Sequence, residues 1–165
     1  MPRLTRPCDY NDGYDPPPAP PPPYLSEFGR GELLCAPFGS ALKSALEHLE
    51  TRVFMTRFCE SPIEVDLGTA LIETAGREFE IWPQFNLHRY RYDFAIYRPG
   101  AKPIALVECD GKEFHGTPQQ RLNDANKNAT AVAAGLTLFR LTGSEIYSDP
   151  RRAAQLILLH VKGLR

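Results

Sequence analysis

Cysteine is scarce and scattered: four occur in 165 residues, at Cys8, Cys35, Cys59 and Cys109. No two form a C-x-x-C pair, so the ligand spacing of a structural zinc site is missing. Cys109 stands in an apolar run, where a free thiol serves as a small hydrophobe. A reducing, cytoplasmic compartment is the expected setting. Net charge is lacking too. With 19 Lys/Arg against 20 Asp/Glu the balance is −1, and the chain as a whole does not advertise a polyanionic partner. The charge is uneven, however: from Lys112 onward there are eight Lys/Arg and four Asp/Glu, a mild local excess of positive charge. No apolar run approaches the roughly 18 residues of a membrane span, so no membrane association is expected. The opening "MPRLTRPCDY" lacks the apolar stretch of a secretory leader. No internal repeat is present.

Proline, by contrast, is concentrated. Residues 15–23, "DPPPAPPPP", hold seven. Such a run cannot enter a helix or a ladder and extends as polyproline II. Residues 1–39 therefore read as a disordered Pro-rich tail and linker. They serve as a spacer or as a docking strip for a protein partner.

The remainder has an apolar share suited to one ordinary domain. "SALKSALEHLETRVFMTRF" spaces Leu42, Leu46, Leu49, Val53 and Phe54 as a helix does, with Ser40 as its cap, and 40–58 reads as an accessory helix that packs on the domain or on a partner. In "CESPIEVDLGTALIETAG", Ser61, Pro62 and Glu64 make a capping box. Ile63, Leu67, Ala70 and Leu71 form its apolar face, and Gly76 is the stop. Strands follow at "EFEIWPQF" (78–85), "HRYRYDFAIY" (88–97) and "PIALVECD" (103–110). "RPGAK" is a turn, so the last two form an antiparallel hairpin. Residues 117–134 read as a helix, with a buried stripe of Leu122, Ala125, Ala129, Val132 and Ala133. "LTLFRL" (136–141) is a fourth strand. Asp149 and Pro150 open a final helix with Ala153, Leu156, Ile157 and Val161 on one side. The order gives an α/β domain over 59–165 with helices covering a mixed sheet.

The third strand ends in acids. Alternation puts Glu108 and Asp110 on one face and Cys109 on the other. Counting out from Gly100 sets Asp93 across from 107–108. Carboxylates gathered in this way require a cation, and oxygen donors suit Mg²⁺, then Mn²⁺. Such an ion assists phosphodiester hydrolysis. Lys112 can then stabilise phosphate charge and His115 can carry a proton. Glu64 already has a structural role as the capping-box residue.

The segments "ESPIEVDLGTAL", "PQFNLHRYRYDFAI", "ALVECDGKEFH", "RLNDANKN" and "AAGLTLFRLTGSEIYSDP" resemble the endonuclease-like domains related to very-short-patch mismatch repair endonuclease, of the PD-(D/E)XK superfamily. The resemblance spans about Glu60 to Leu159. It implies a restriction-endonuclease-like fold, a mixed four-stranded sheet flanked by helices with a metal site at one edge. It also implies a role in DNA repair. It makes Asp93 the metal-binding aspartate, Glu108 the second acidic ligand and Glu64 the first-helix glutamate that completes the site. Asp110 stands where many members have lysine, a variant seen in the resembling subfamily, with Lys112 as the substitute. His115 matches the subfamily's histidine, Gln84 a glutamine near the site, and Arg121 and Asp124 polar positions of the following helix. What it implies is an Mg²⁺-dependent DNA endonuclease. Gln84, Arg89, Arg91, Lys112, Arg121 and Lys127 would contact the nucleic acid. RNA is the alternative substrate, and a non-catalytic nucleic-acid-binding module or an adaptor is the alternative function.

Overall fold

The computed structural model describes residues 39–110 and 117–164. Two helices open it, α1 (Gly39–Met55) and α2 (Pro62–Ala75). Three strands follow, β1 (Glu80–Leu87), β2 (Tyr90–Tyr97) and β3 (Pro103–Asp110). Then come α3 (Pro118–Ala133), β4 (Thr137–Thr142), α4 (Gly143–Ser148) and α5 (Pro150–Gly163). The Pro-rich segment lies outside the described residues, as do Lys112 and His115.

The sheet runs β1-β2-β3-β4. Its first two pairings are antiparallel and the third is parallel. Tight turns between strands need special backbone. His88 takes φ 53° between β1 and β2, and Gly100 takes φ 73° between β2 and β3. Pro99 before Gly100 is the arrangement a tight turn favours, and the Ala101 N–H donates to the Arg98 carbonyl at 3.0 Å. The parallel β3–β4 pair needs a crossover, which α3 supplies.

Each sheet face has its own core. On one, Leu67 and Leu71 of α2 and Ile157, Leu158 and Val161 of α5 pack on Phe94, Ile96, Ala105 and Val107. On the other, Ala131 of α3 packs with Phe85, Leu87, Tyr90, Tyr92, Tyr97 and Leu106. Burying a large apolar side chain contributes about 1.5–3 kcal/mol, and Phe94 and Tyr92 are both 0% exposed. Gly68 lets α2 approach: an added Cβ would lie 2.8 Å from the Phe94 ring and 2.5 Å from Met55 Cε.

The structure corrects several expectations. α1 begins at Gly39, so Ser40 lies inside it rather than capping it. Of its expected apolar face, Leu46, Leu49 and Val53 are exposed, while Met55 is buried. The buried stripe of α3 is also different: Leu122 and Val132 are exposed and Ala125, Ala129 and Ala133 point outward, while Ala131 is buried. The side turned to the sheet carries Asn126, Lys127 and Thr130, all half-buried. Apolar periodicity picked the solvent face because the inner one is polar. Leu156 of α5 is exposed while Ala153, Ile157 and Val161 are buried. The Ser61–Glu64 box is half formed: Ser61 Oγ accepts from the Glu64 N–H at 3.4 Å, but the Glu64 carboxylate accepts from the Glu60 N–H at 3.0 Å, one residue upstream of the cap. Helix α4, absent from the sequence reading, starts at a complete capping box of Thr142 and Glu145.

Candidate active site

Alternation of faces breaks on two adjacent strands at one level. On β2, Tyr90 and Tyr92 belong to the α3-side core, but Phe94 and Ile96 belong to the α2-side core. Strict alternation would keep all four together. On β1, Ile81 lies on the α2 side, but Phe85 and Leu87 lie on the other. The exchange falls at Gln84 and Asp93, bracketed by the pairs Pro83↔Phe94 and Phe85↔Tyr92. Gln84 absorbs it with a left-handed φ of 53°, a conformation uncommon without glycine and frequent at functional sites. Asp93 is thereby turned out of the regular ladder. Its Oδ2 accepts the Cys109 N–H at 2.6 Å. The β2–β3 register, with Phe94 opposite Val107, carries on to put Asp93 level with Glu108.

The field at this end of the sheet is negative. Burial is the main reason the Asp93 carboxyl is raised from 3.8 to about 6. The Cys109 N–H works against it, Glu64 and Glu108 add to it, and Lys127 opposes it. Burial, then Glu64 and Asp93, push the Cys59 thiol up to about 12. Burial, then the same two carboxylates, also push the Cys109 thiol up. Both shifts favour the protonated thiol.

Glu64 is buried and held from several sides. It accepts from Ser61 Oγ at 2.6 Å, the Glu60 N–H at 3.0 Å and Gln84 Nε2 at 3.0 Å. Gln84 thus touches the first-helix glutamate, and its Oε1 is buried without a partner. Glu108 faces α3 and β4: Lys127 Nζ donates to its Oε1, and Arg140 Nη2 lies 3.0 Å from its Oε2. Arg140 also lies 3.9 Å from Asp124.

Beside Glu108 opens a cleft of about 750 Å³, lined by Arg89, Tyr90, Arg91, Gln119, Asn123, Asn126 and Lys127. Its cations come from the β1–β2 turn, from β2 and from α3. Arg91 is anchored by Glu60 at 2.6 Å, and Arg89 donates to Tyr90 Oη at 2.8 Å while lying over that ring. A groove with such walls attracts phosphate.

The sequence-derived residues fall into groups. Asp93 is level with Glu108 in the β2–β3 register, and Glu64 and Glu108 both act on its carboxyl through their charge. Asp110 ends β3 opposite Thr142 of β4. Arg89, Arg91 and Lys127 share the cleft, whereas Gln84 and Arg121 do not line it. Asp124 lies 3.9 Å from Arg140. Lys112 and His115 lie outside the described residues. Among the described residues, no group of three or more His, Cys, Asp or Glu side chains is arranged to hold a metal ion. The sequence reading assigns no role to Arg140 or to the amides Gln119, Asn123 and Asn126. The amides recur at helical spacing beside Lys127 and mark one face; Arg140 carries no such signal, because only strand pairing sets it beside Glu108.

The family REase_MTES_1575, a restriction-endonuclease-like group, matches residues 64–160. That stretch holds every strand, α3, α4 and most of α2 and α5. No curated protein and no solved structure was found to match the chain. No helix among the described residues is long and apolar enough to cross a membrane.

Proposed function

The chain belongs to the restriction-endonuclease-like family REase_MTES_1575, and from that premise we propose that it is a metal-dependent endonuclease that hydrolyses phosphodiester bonds in DNA. The observation that carries this reading is Asp93, turned out of its strand and tied to β3 next to Glu108. A carboxyl raised to about 6 by burial, with Glu64 and Glu108 adding to the shift, is a group that a nearby cation would favour in its ionised form. The donors are hard oxygens. Mg²⁺ commonly binds through one or two carboxylates together with waters and substrate phosphate, so Asp93 and Glu108 suffice as its protein ligands, with Mn²⁺ the alternative. Bound there, the ion would supply a more acidic water and offset charge at phosphorus. Glu64, fixed by Ser61 and Gln84, orients the Asp93 side of the site. Arg89 and Arg91 hold flanking phosphates of the strand in the cleft.

The test is nicking of supercoiled plasmid in Mg²⁺ and in Mn²⁺ by the parent, Asp93→Ala and Glu108→Ala. The parent cuts, and each variant loses about 100-fold or more. Equal cutting by the variants defeats the assignment. A second reading, a non-catalytic nucleic-acid-binding module, draws on Glu108 being already neutralised by Lys127 and Arg140. Binding without cutting in either ion selects it.

A further inference from the structure

We propose that Lys127 is the catalytic cation of this site, delivered across space from α3, with its ammonium joining Glu108 to the phosphate in the cleft. The inference rests on the nuclease reading above. Strand β3 ends Glu108-Cys109-Asp110, so no cation stands two residues beyond the glutamate. The structure brings one from elsewhere. Lys127 Nζ donates to Glu108 Oε1. Tyr92 holds this lysine at both ends: its ring lies 5.1 Å under Nζ, and its hydroxyl donates to the Lys127 carbonyl at 2.9 Å. The side chain is only 19% exposed, yet it lines the cleft with Arg89 and Arg91. Of these cleft cations, Lys127 is the one bonded to a carboxylate of the site; Arg91 is tied to Glu60.

Neutralising Glu108 does not account for Lys127, because Arg140 already stands 3.0 Å from the other carboxylate oxygen. An ammonium carries three N–H donors, so the bond to Glu108 does not exhaust it. A cation fixed by a ring and a carboxylate, facing a groove that attracts phosphate, meets the requirement for electrostatic stabilisation: it is in position before charge develops. It also acts on Asp93, whose carboxyl it draws downward against burial. The role needs no proton transfer. The ammonium stabilises the added negative charge on the phosphate oxygens as the water attacks.

The experiment uses the full chain with Lys127→Gln and Lys127→Arg, checked for folding by circular dichroism; Arg140 continues to pair with Glu108 in both. The first measurement is affinity for a labelled DNA duplex in EDTA over a salt series. The Gln variant loses about 0.7–0.9 from the log–log slope, as for one phosphate contact, and the Arg variant keeps it. The second is single-turnover cleavage in Mg²⁺ and Mn²⁺. The Gln variant falls about 100-fold or more, and the Arg variant recovers part of that loss. A Gln variant with the parent's slope, or one that cuts at the parent's rate, overturns the proposal, as does an Arg variant with the slope of Gln. If the parent cuts in neither ion, the nuclease reading falls, and the salt slope still decides whether Lys127 meets phosphate.

Discussion

Replacing Asp93 by Asn should make the protein more stable, but only above a definite pH. The folded-state carboxyl titrates near 6 against an ordinary value of 3.8. Its pKa is raised, so the native state holds the proton more tightly than the unfolded chain does. The protonated carboxyl's contribution is complete below 3.8 and is lost as pH rises through about 6. The gap corresponds to roughly 3 kcal/mol at neutral pH and above. Asn keeps an oxygen that can accept the Cys109 N–H and never carries the charge. Urea denaturation of parent and Asp93→Asn from pH 4 to pH 8, in EDTA, measures the difference. The curves should coincide near pH 4 and diverge through pH 6. With a urea slope of about 2 kcal/mol per molar, the midpoints separate by about 1.5 M at pH 8. Carboxylates remote from Asp93 titrate in both proteins and cancel in the comparison. Adding Mg²⁺ at pH 8 should raise the parent's midpoint and leave the variant's unchanged. Curves that stay parallel across the whole range refute the reasoning, because Asp93 would then lie in neither a desolvated nor an anionic setting.

Gly68→Ala should cost about 1–3 kcal/mol, since the new methyl meets the Phe94 ring at 2.8 Å and 2.9 Å; calorimetry should record a Tm lower by roughly 3–9 °C. Ser61→Ala removes the α2 cap and the hydroxyl that donates to Glu64, and denaturant titration should show a loss of about 0.5–2 kcal/mol. Arg89→Ala and Arg91→Ala should each flatten the salt dependence of DNA affinity by about 0.7–0.9. That weakening should be similar on unrelated sequences, because phosphate contacts carry no base information.

Much of the architecture was legible in residue order. The strands, the Pro99–Gly100 turn, the Ser61–Pro62 start of α2 and the Gly76 stop each follow from local stereochemistry. Counting out from that turn was also enough to bring Asp93 level with Glu108. Thr142 and Glu145 spell the capping box of α4 in the sequence itself. The inner face of α3 was not legible. Leu122 and Val132 are 56% and 73% exposed while Lys127 points inward, and a rule that sends apolar residues to the core fails where the core-facing side borders a polar cleft.

Local rules thus determined most elements of this chain, the sense of the β2–β3 hairpin and the level placement of Asp93 and Glu108 at its open end, because alternation and turn geometry act over a few residues. Folding alone decided which cations answer those acids. Lys127 and Arg140 lie 19 and 32 positions beyond Glu108 and meet it only because β4 pairs in parallel beside β3 and α3 crosses over the face between them. Folding also decided that Asp93 leaves its strand's regular order, since the break needs Gln84 on the neighbouring strand to adopt a backbone that residue type seldom takes. Contacts of that kind depend on how distant segments stack, and no spacing within one segment records them.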